Sequence, residues 1–131
     1  MPYFPPFELL KRFASVSTVR GEVWLSLSYT DFMAMLRLIL ATVDVDETWY
    51  LNIYEDIAKA VHAGTVASAR QHFIDDGYFE GRLPGPHAVD EAWYLRAYPD
   101  VADSIRRGLV VSAQQHFEQD GFREGRLPRE M

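Results

Sequence analysis

The chain of 131 residues contains no cysteine. Disulfides, thiolate nucleophiles and cysteine-bound zinc are thereby excluded, although the compartment stays open. Positive charge is scarce: 13 lysines and arginines stand against 19 acidic residues, for a formal net charge of −6. The longest basic run is Arg106-Arg107. Nucleic-acid backbones are gripped by concentrated cationic surfaces, so no nucleic-acid partner is expected. Long apolar runs are also missing. The most apolar region, Phe32 to Val43, is broken by Arg37 and falls well short of the roughly 20 residues a membrane-spanning helix needs. The opening MPYFPPFELLKRF has no basic segment ahead of an apolar one, so no secretory leader is expected and a cytoplasmic setting is the default. There is no GxSxG, no phosphate-cradling glycine run and no HxxxH or HExxH pair. No residue is therefore assigned a catalytic role, and no cofactor is expected.

What the chain does have is apolar material, at 48% hydrophobic and 14% aromatic residues, enough for a folded core and too much for a disordered polymer. It also has a repetition. Residues 45–84 align without a gap on residues 89–128, and 23 of those 40 pairs are identical. VDETWYLNIY answers VDEAWYLRAY, ASARQHFIDDG answers VSAQQHFEQDG, and EGRLP answers itself. Chance does not produce such a match, so each copy is expected to be one structural unit.

Each copy reads as short helices with explicit stops. Asp46 and Asp90 precede Glu-x-Trp-Tyr-Leu, an N-cap followed by an acidic first turn. Tyr50, Leu51 and Tyr54, and likewise Tyr94, Leu95 and Tyr98, share one helical face. Pro99 suits the first turn of a second helix, whose apolar residues are Ile57, Ala58 and Val61 or Val101, Ala102 and Ile105. Gly64 and Gly108 stand where a left-handed cap is wanted. Ser68 and Ser112 cap a third helix that Gly77 and Gly121 are expected to end, before the turn EGRLP. Helices this short rarely persist alone, so the two copies are expected to brace one another.

Before the repeats lie 43 residues of different character. Residues 2–6, PYFPP, read as an extended arm. Phe7 to Phe13 makes about two helical turns, and Ser15 to Tyr29 alternates around Arg20-Gly21 as a β-hairpin does. Thr30 or Asp31 then caps FMAMLRLILATV, apolar nearly all round. Such a helix wants cover on more than one side. The expected fold is therefore mainly α: two tandem helical repeats of about 44 residues (45–84 and 89–128, within a module spanning 44–131) after an arm, hairpin and apolar helix spanning 1–43. The first segment is read as an association element, with Phe32, Met33, Met35, Leu36 and Ile39 of the helix, Tyr3 and Phe4 of the arm, or the hairpin edge at the interface of a homo-oligomer. The competing arrangement is a monomer that threads the helix through its own centre.

Three constellations invite chemistry. His72 and His116 each stand four residues before an aspartate, Asp76 or Asp120, a spacing that sets imidazole and carboxylate on one helical face. They are candidates for metal ligation or acid–base work, against the plainer reading of a histidine anchored by a hydrogen bond. Arg82 and Arg126 recur with Asp56/Asp100 and Glu80/Glu124. A guanidinium in a fixed turn is a candidate clamp for an anionic ligand, or a bridge pinning the turn to a helix. Trp49 and Trp93, with their neighbouring tyrosines, offer stacking faces to a sugar ring, or simply core.

The unit W-Y-L-x-x-Y-P-D-V-A … G … S-A-x-x-H-F-x-x-x-G-x-x-E-G-R-x-P, over about 85 residues from Val45 to Arg129, resembles a short repeat of many bacterial proteins. That repeat often lies beside glycosyltransferase and other polysaccharide-related domains, or in large surface-associated proteins. The resemblance implies a repeat type and a setting in polysaccharide or cell-envelope biosynthesis, and carries no established chemistry. Copy one departs from it at Glu55, where the pattern has proline, which is expected to loosen the start of its second helix. Both copies carry phenylalanine (Phe73, Phe117) where the pattern commonly has tyrosine after the histidine. Together these features point to a non-enzymatic adaptor that self-associates and docks on a larger bacterial protein. A glycan-binding module and a small His72/His116 enzyme or metal protein are the alternatives.

Overall fold

The structure, a computed structural model, describes residues 3–131. Its contacts divide the chain into two units, Met1–Asp44 and Val45–Met131, each described here by itself. Among the described residues there are eight α-helices, two single π-helical turns and one two-stranded hairpin, so the fold is mainly α.

In the first unit, Tyr3 to Pro6 has no regular structure, and Pro2 of the expected arm lies outside the described residues. Pro5 is buried, whereas Tyr3 and Phe4 are exposed. Helix α1 covers Phe7–Lys11 and stops short of the expected Phe13. Arg12 and Phe13 instead donate to the carbonyls of Leu9 and Leu10 at 3.2 and 3.1 Å, the tightened bonds of a fraying last turn. Strands β1 (Ser15–Val19) and β2 (Glu22–Ser26) pair antiparallel, with Val16 opposite Leu25 and Thr18 opposite Val23. Arg20 and Gly21 turn the chain at φ 53° and 79°, both left-handed, as a two-residue turn matching the strand twist requires.

Helix α2 spans Tyr29–Leu40. Its cap is Ser28, not Thr30 or Asp31: the Ser28 hydroxyl accepts from the Asp31 N–H at 3.0 Å, which leaves Asp31 as the acidic residue of the first turn. Full cover on several sides is not what the helix finds. Leu40 alone is buried, Met33, Met35, Leu36 and Ile39 are half-buried, and Phe32 is 40% exposed.

The second unit contains two sets of elements. The first is α3 (Glu47–Ile53), α4 (Glu55–His62) and α5 (Ala69–His72), which runs into a π-helical turn at Phe73–Gly77. The second is α6 (Glu91–Ala97), α7 (Pro99–Arg106) and α8 (Ala113–His116), with its π turn at Phe117–Gly121. Each helix start has a chemical cause. Asp46 and Asp90 accept from the N–H groups of Trp49 and Trp93, and Ser68 and Ser112 from those of Gln71 and Gln115, all at 3.0 Å. Gly64 and Gly108, at φ 78° and 73°, close α4 and α7 in the left-handed region.

One expectation needs correction. Glu55 does not loosen α4, which starts at the same place as α7 and runs the same 8 residues, because Glu55 and Asp56 supply favourable charge in its first turn. Gly77 and Gly121 end the third helical segment as expected, through π turns in which the N–H of Tyr78 reaches back to Phe73 O at 3.0 Å and that of Phe122 to Phe117 O at 2.9 Å. The left-handed residues are Gly81 and Gly125, at φ 79° and 81°.

Each segment closes on itself more than it leans on the other. The Asp46 N–H donates to Pro84 O, and the Asp90 N–H to Pro128 O, both at 2.9 Å, tying each tail to its own beginning. Tyr50, Ile57, Ala69, Phe73 and Ile74 are buried in the first set. Tyr94, Val101, Ala113 and Phe117 form the buried cluster of the second, joined by Leu83 from the tail of the first. Leu83, buried, and Trp49, half-buried against the same cluster, are apolar ties between the two.

Candidate functional site

His72 sits at the centre of a buried node and His116 at the centre of a half-buried one. The phenol of Tyr50, from α3, shares a hydrogen bond of 2.9 Å with Nδ1 of His72 at the end of α5, and Tyr94 makes the same bond with His116. The π turn permits this: its extra residue carries the backbone past the phenol, and glycine at position 77 or 121 leaves room. A Cβ on Gly77 would collide with Tyr50 Oη, and one on Gly121 with Tyr94 Oη. Burial raises the Tyr50 hydroxyl well above its ordinary range, against the pull of nearby Arg82. Burial likewise pushes Tyr94 up to about 12, with Arg126 opposing. The phenols therefore stay protonated at ordinary pH and can donate to the ring nitrogen. With Nδ1 accepting, the Nε2–H of His72 faces Glu80 Oε1 at 3.8 Å. The aspartates Asp76 and Asp120 take no part in these bonds, and among the described residues no group of three or more potential ligands is placed to hold a metal.

Arg82 and Arg126 belong to a second, adjoining lock. Nη1 and Nη2 of Arg82 donate to the two carboxylate oxygens of Asp56 at 3.0 and 2.8 Å, and Nε donates to Glu80 at 2.7 Å. Arg126 does the same with Asp100 at 2.9 and 2.7 Å and Glu124 at 2.7 Å. Each guanidinium also lies 4.9 Å from the ring centroid of Tyr54 or Tyr98, a cation–π geometry. Those phenols accept the N–H of Leu83 at 2.9 Å and of Leu127 at 2.8 Å. The planar fork is thus matched by the chain's own carboxylates, pinning the tail to the start of α4 or α7. An external carboxylate would have to displace Asp56 or Asp100.

The hydrogen bonds from Arg82 and Arg126 hold Asp56 and Asp100 below the ordinary carboxylate range. A carboxyl whose folded-state pKa is depressed contributes stability above its unfolded pKa, near 4, and loses it as pH falls through the lower folded value. Melting temperature is therefore expected to decline below about pH 4. Arg82→Gln and Arg126→Gln are expected to flatten that part of the profile; an unchanged profile in both variants contradicts the assignment.

Trp49 and Trp93 are half-buried and set edge-on to Tyr54 and Tyr98, at centroid distances of 6.2 and 6.0 Å. Their rings are occupied as packing rather than laid open as platforms.

The first unit carries a different surface. An open apolar groove of about 510 Å³ is lined chiefly by Phe7, Leu10, Val16, Trp24, Leu25 and Met35. Every residue of both strands is exposed, including Val23 at 71%, Leu25 at 59% and Trp24 at 54%. Of the residues expected at an interface, Met35 lines this groove, while Phe32, Tyr3 and Phe4 are exposed elsewhere in the unit and Met33, Leu36 and Ile39 are half-buried. Trp24 and Phe7 were not singled out by the sequence. Strand alternation places Val16, Val23 and Leu25 on one face, while Trp24 stands on the other and carries no such signal.

No protein-family model, curated protein or solved structure matches the chain. Among the described residues no helix is long and apolar enough to cross a membrane.

Proposed function

We propose that the protein is a non-enzymatic interaction module. Its two-repeat segment is a rigid platform, and its first unit joins it to a second copy of itself. The larger setting is docking on a bacterial protein of polysaccharide or cell-envelope biosynthesis, a setting supported by the resemblance of the repeat alone.

The observation that carries this reading is the open apolar groove on the hairpin. A two-stranded hairpin is marginal in water without a third strand or a packed face, and this one has free strand edges and uncovered valine, leucine and tryptophan side chains. A second copy offers the same groove, and self-complementary pairing about a two-fold axis is the commonest way such a face is covered. The doubly substituted chain Val23→Glu/Leu25→Glu is expected to show a smaller mass than the wild type by light scattering, because two carboxylates are brought to a face that excludes water. A wild-type monomer at every concentration, or an unaltered mass in the variant, contradicts the proposal.

One feature favours a second reading, glycan binding. A polar cleft of about 530 Å³ lies between the two sets of elements, bordered by Asn52, Tyr54, Glu80, Arg82, Glu118 and Arg123. Amide, carboxylate and guanidinium groups around such a cleft suit the hydroxyls of an oligosaccharide. Since Trp49 packs against Tyr54, its fluorescence reports occupancy. No change across a panel of neutral and acidic oligosaccharides removes this reading.

A further inference from the structure

The two copies write the loop before their third helix in different letters. Between α4 and α5 the first reads His62-Ala63-Gly64-Thr65-Val66-Ala67, and between α7 and α8 the second reads Arg106-Arg107-Gly108-Leu109-Val110-Val111. Shape does not demand the change. The Thr65 N–H donates to Ala60 O at 3.0 Å and the Leu109 N–H to Ser104 O at 2.9 Å, and both glycines are left-handed. Small and polar letters therefore build the same closure. Leu109 follows the closing glycine and Val111 precedes the capping Ser112, two positions where an apolar side chain commonly folds back onto its own helix. Neither does so here. Leu109 is 67% exposed and Val111 79%, and the Val111 N–H is tied to Gln115 Oε1 at 2.9 Å, which fixes the backbone that presents it. Arg106 and Arg107 share the single carboxylate of Asp103 at 3.5 and 3.7 Å, with all three side chains more than half exposed. Pairs of that length in open solvent hold weakly, so both guanidiniums are available to an outside anion.

We infer that this loop is a membrane-contact site, resting on the headgroup region of an anionic bilayer. Two aliphatic side chains beside two guanidiniums match that surface in both of its chemistries. The aliphatic groups sink into the boundary between headgroups and acyl chains, and each guanidinium plane takes phosphate oxygens two at a time. The chain as a whole carries −6, so bulk charge does not draw it to lipid phosphates. The contact rests on this local pairing, whose electrostatic reach is a Debye length, ~8 Å at physiological ionic strength. The first copy, with Thr65 and Ala67 at the equivalent places, has no such contact. The inference uses neither the hairpin groove nor self-association.

The first copy also supplies the control. Leu109→Thr/Val111→Ala puts its letters into the second loop, so the melting temperature is expected to stay where it is. The full chain is mixed with sedimentable phosphatidylcholine vesicles, made with or without phosphatidylglycerol. The wild type is expected to sediment with the anionic vesicles and not with the neutral ones, and less so in high salt. The loop variant is expected to lose about tenfold in affinity, and Arg106→Gln/Arg107→Gln about fivefold per arginine. Wild-type protein left in the supernatant with both vesicles overturns the inference and turns the loop toward a protein partner. Equal binding to neutral vesicles overturns it too, as do loop variants that bind like the wild type. Loss of binding in the Val23→Glu/Leu25→Glu chain alone would assign the lipid contact to the hairpin and likewise sink the inference.

Discussion

Gly77→Ala and Gly121→Ala are each expected to destabilise the protein by roughly 2–4 kcal/mol, an overpacking strain combined with loss of a buried hydrogen bond. Neither position is left-handed, so the effect comes from space. The added methyl meets the phenol of Tyr50 or Tyr94, both 0% exposed. Those phenols cannot swing aside without leaving the Nδ1 atom of His72 or His116 unpaired. Gly64→Ala is the contrasting case: nothing lies within 4 Å, and only its positive φ of 78° opposes a side chain, at about 1 kcal/mol. Urea unfolding of the three variants checks the ordering. A loss at Gly77 and Gly121 no larger than that at Gly64 would show that the node tolerates expansion.

The second large effect concerns the tie between the two segments. Leu83→Ala removes a side chain 3% exposed from the core cluster and is expected to cost about 2–4 kcal/mol. Leu127→Ala makes the identical chemical change at a residue 43% exposed and is expected to cost under about 0.5 kcal/mol in the isolated chain. Because the local backbone bonds are alike, the difference measures the neighbour and little else. Equal losses, read from denaturant midpoints, would mean that Leu83 does not couple the two segments.

How far the letters foretold the coordinates depends on how local the responsible physics was. Asp46, Asp90, Ser68 and Ser112 announce helix starts because a cap is made within three residues, and Arg20-Gly21 announces its turn through backbone preference. Ser28, Thr30 and Asp31 are all capping residues within four positions, and only the position of the first turn decides that Ser28 is the cap. The π turns were hidden for a related reason. One inserted residue in a helix leaves no composition signal, and its cause, a phenol reaching a histidine 22 positions away, is tertiary. The same distance concealed what the repeated Arg82 and Arg126 do. Carboxylate partners 26 residues off were named from their repetition, while the choice between clamp and bridge needed the geometry. Least legible was the groove of the first unit. Helix α2 is the most apolar by sequence, yet it is half-covered and the hairpin beside it lies open, because exposure depends on what a face meets and not on its hydropathy.

Tyrosine, histidine and glycine recur at equivalent places and hold each turn in shape. The most direct test is a double-mutant cycle on Tyr94→Phe and His116→Ala, read as unfolding free energy in urea. A load-sharing pair predicts strong non-additivity, a coupling of about 1–2 kcal/mol, because either substitution alone already breaks the shared bond. Strictly additive losses, or a stable His116→Ala chain that unfolds like the wild type, would contradict the account and return the histidine to the search for chemistry.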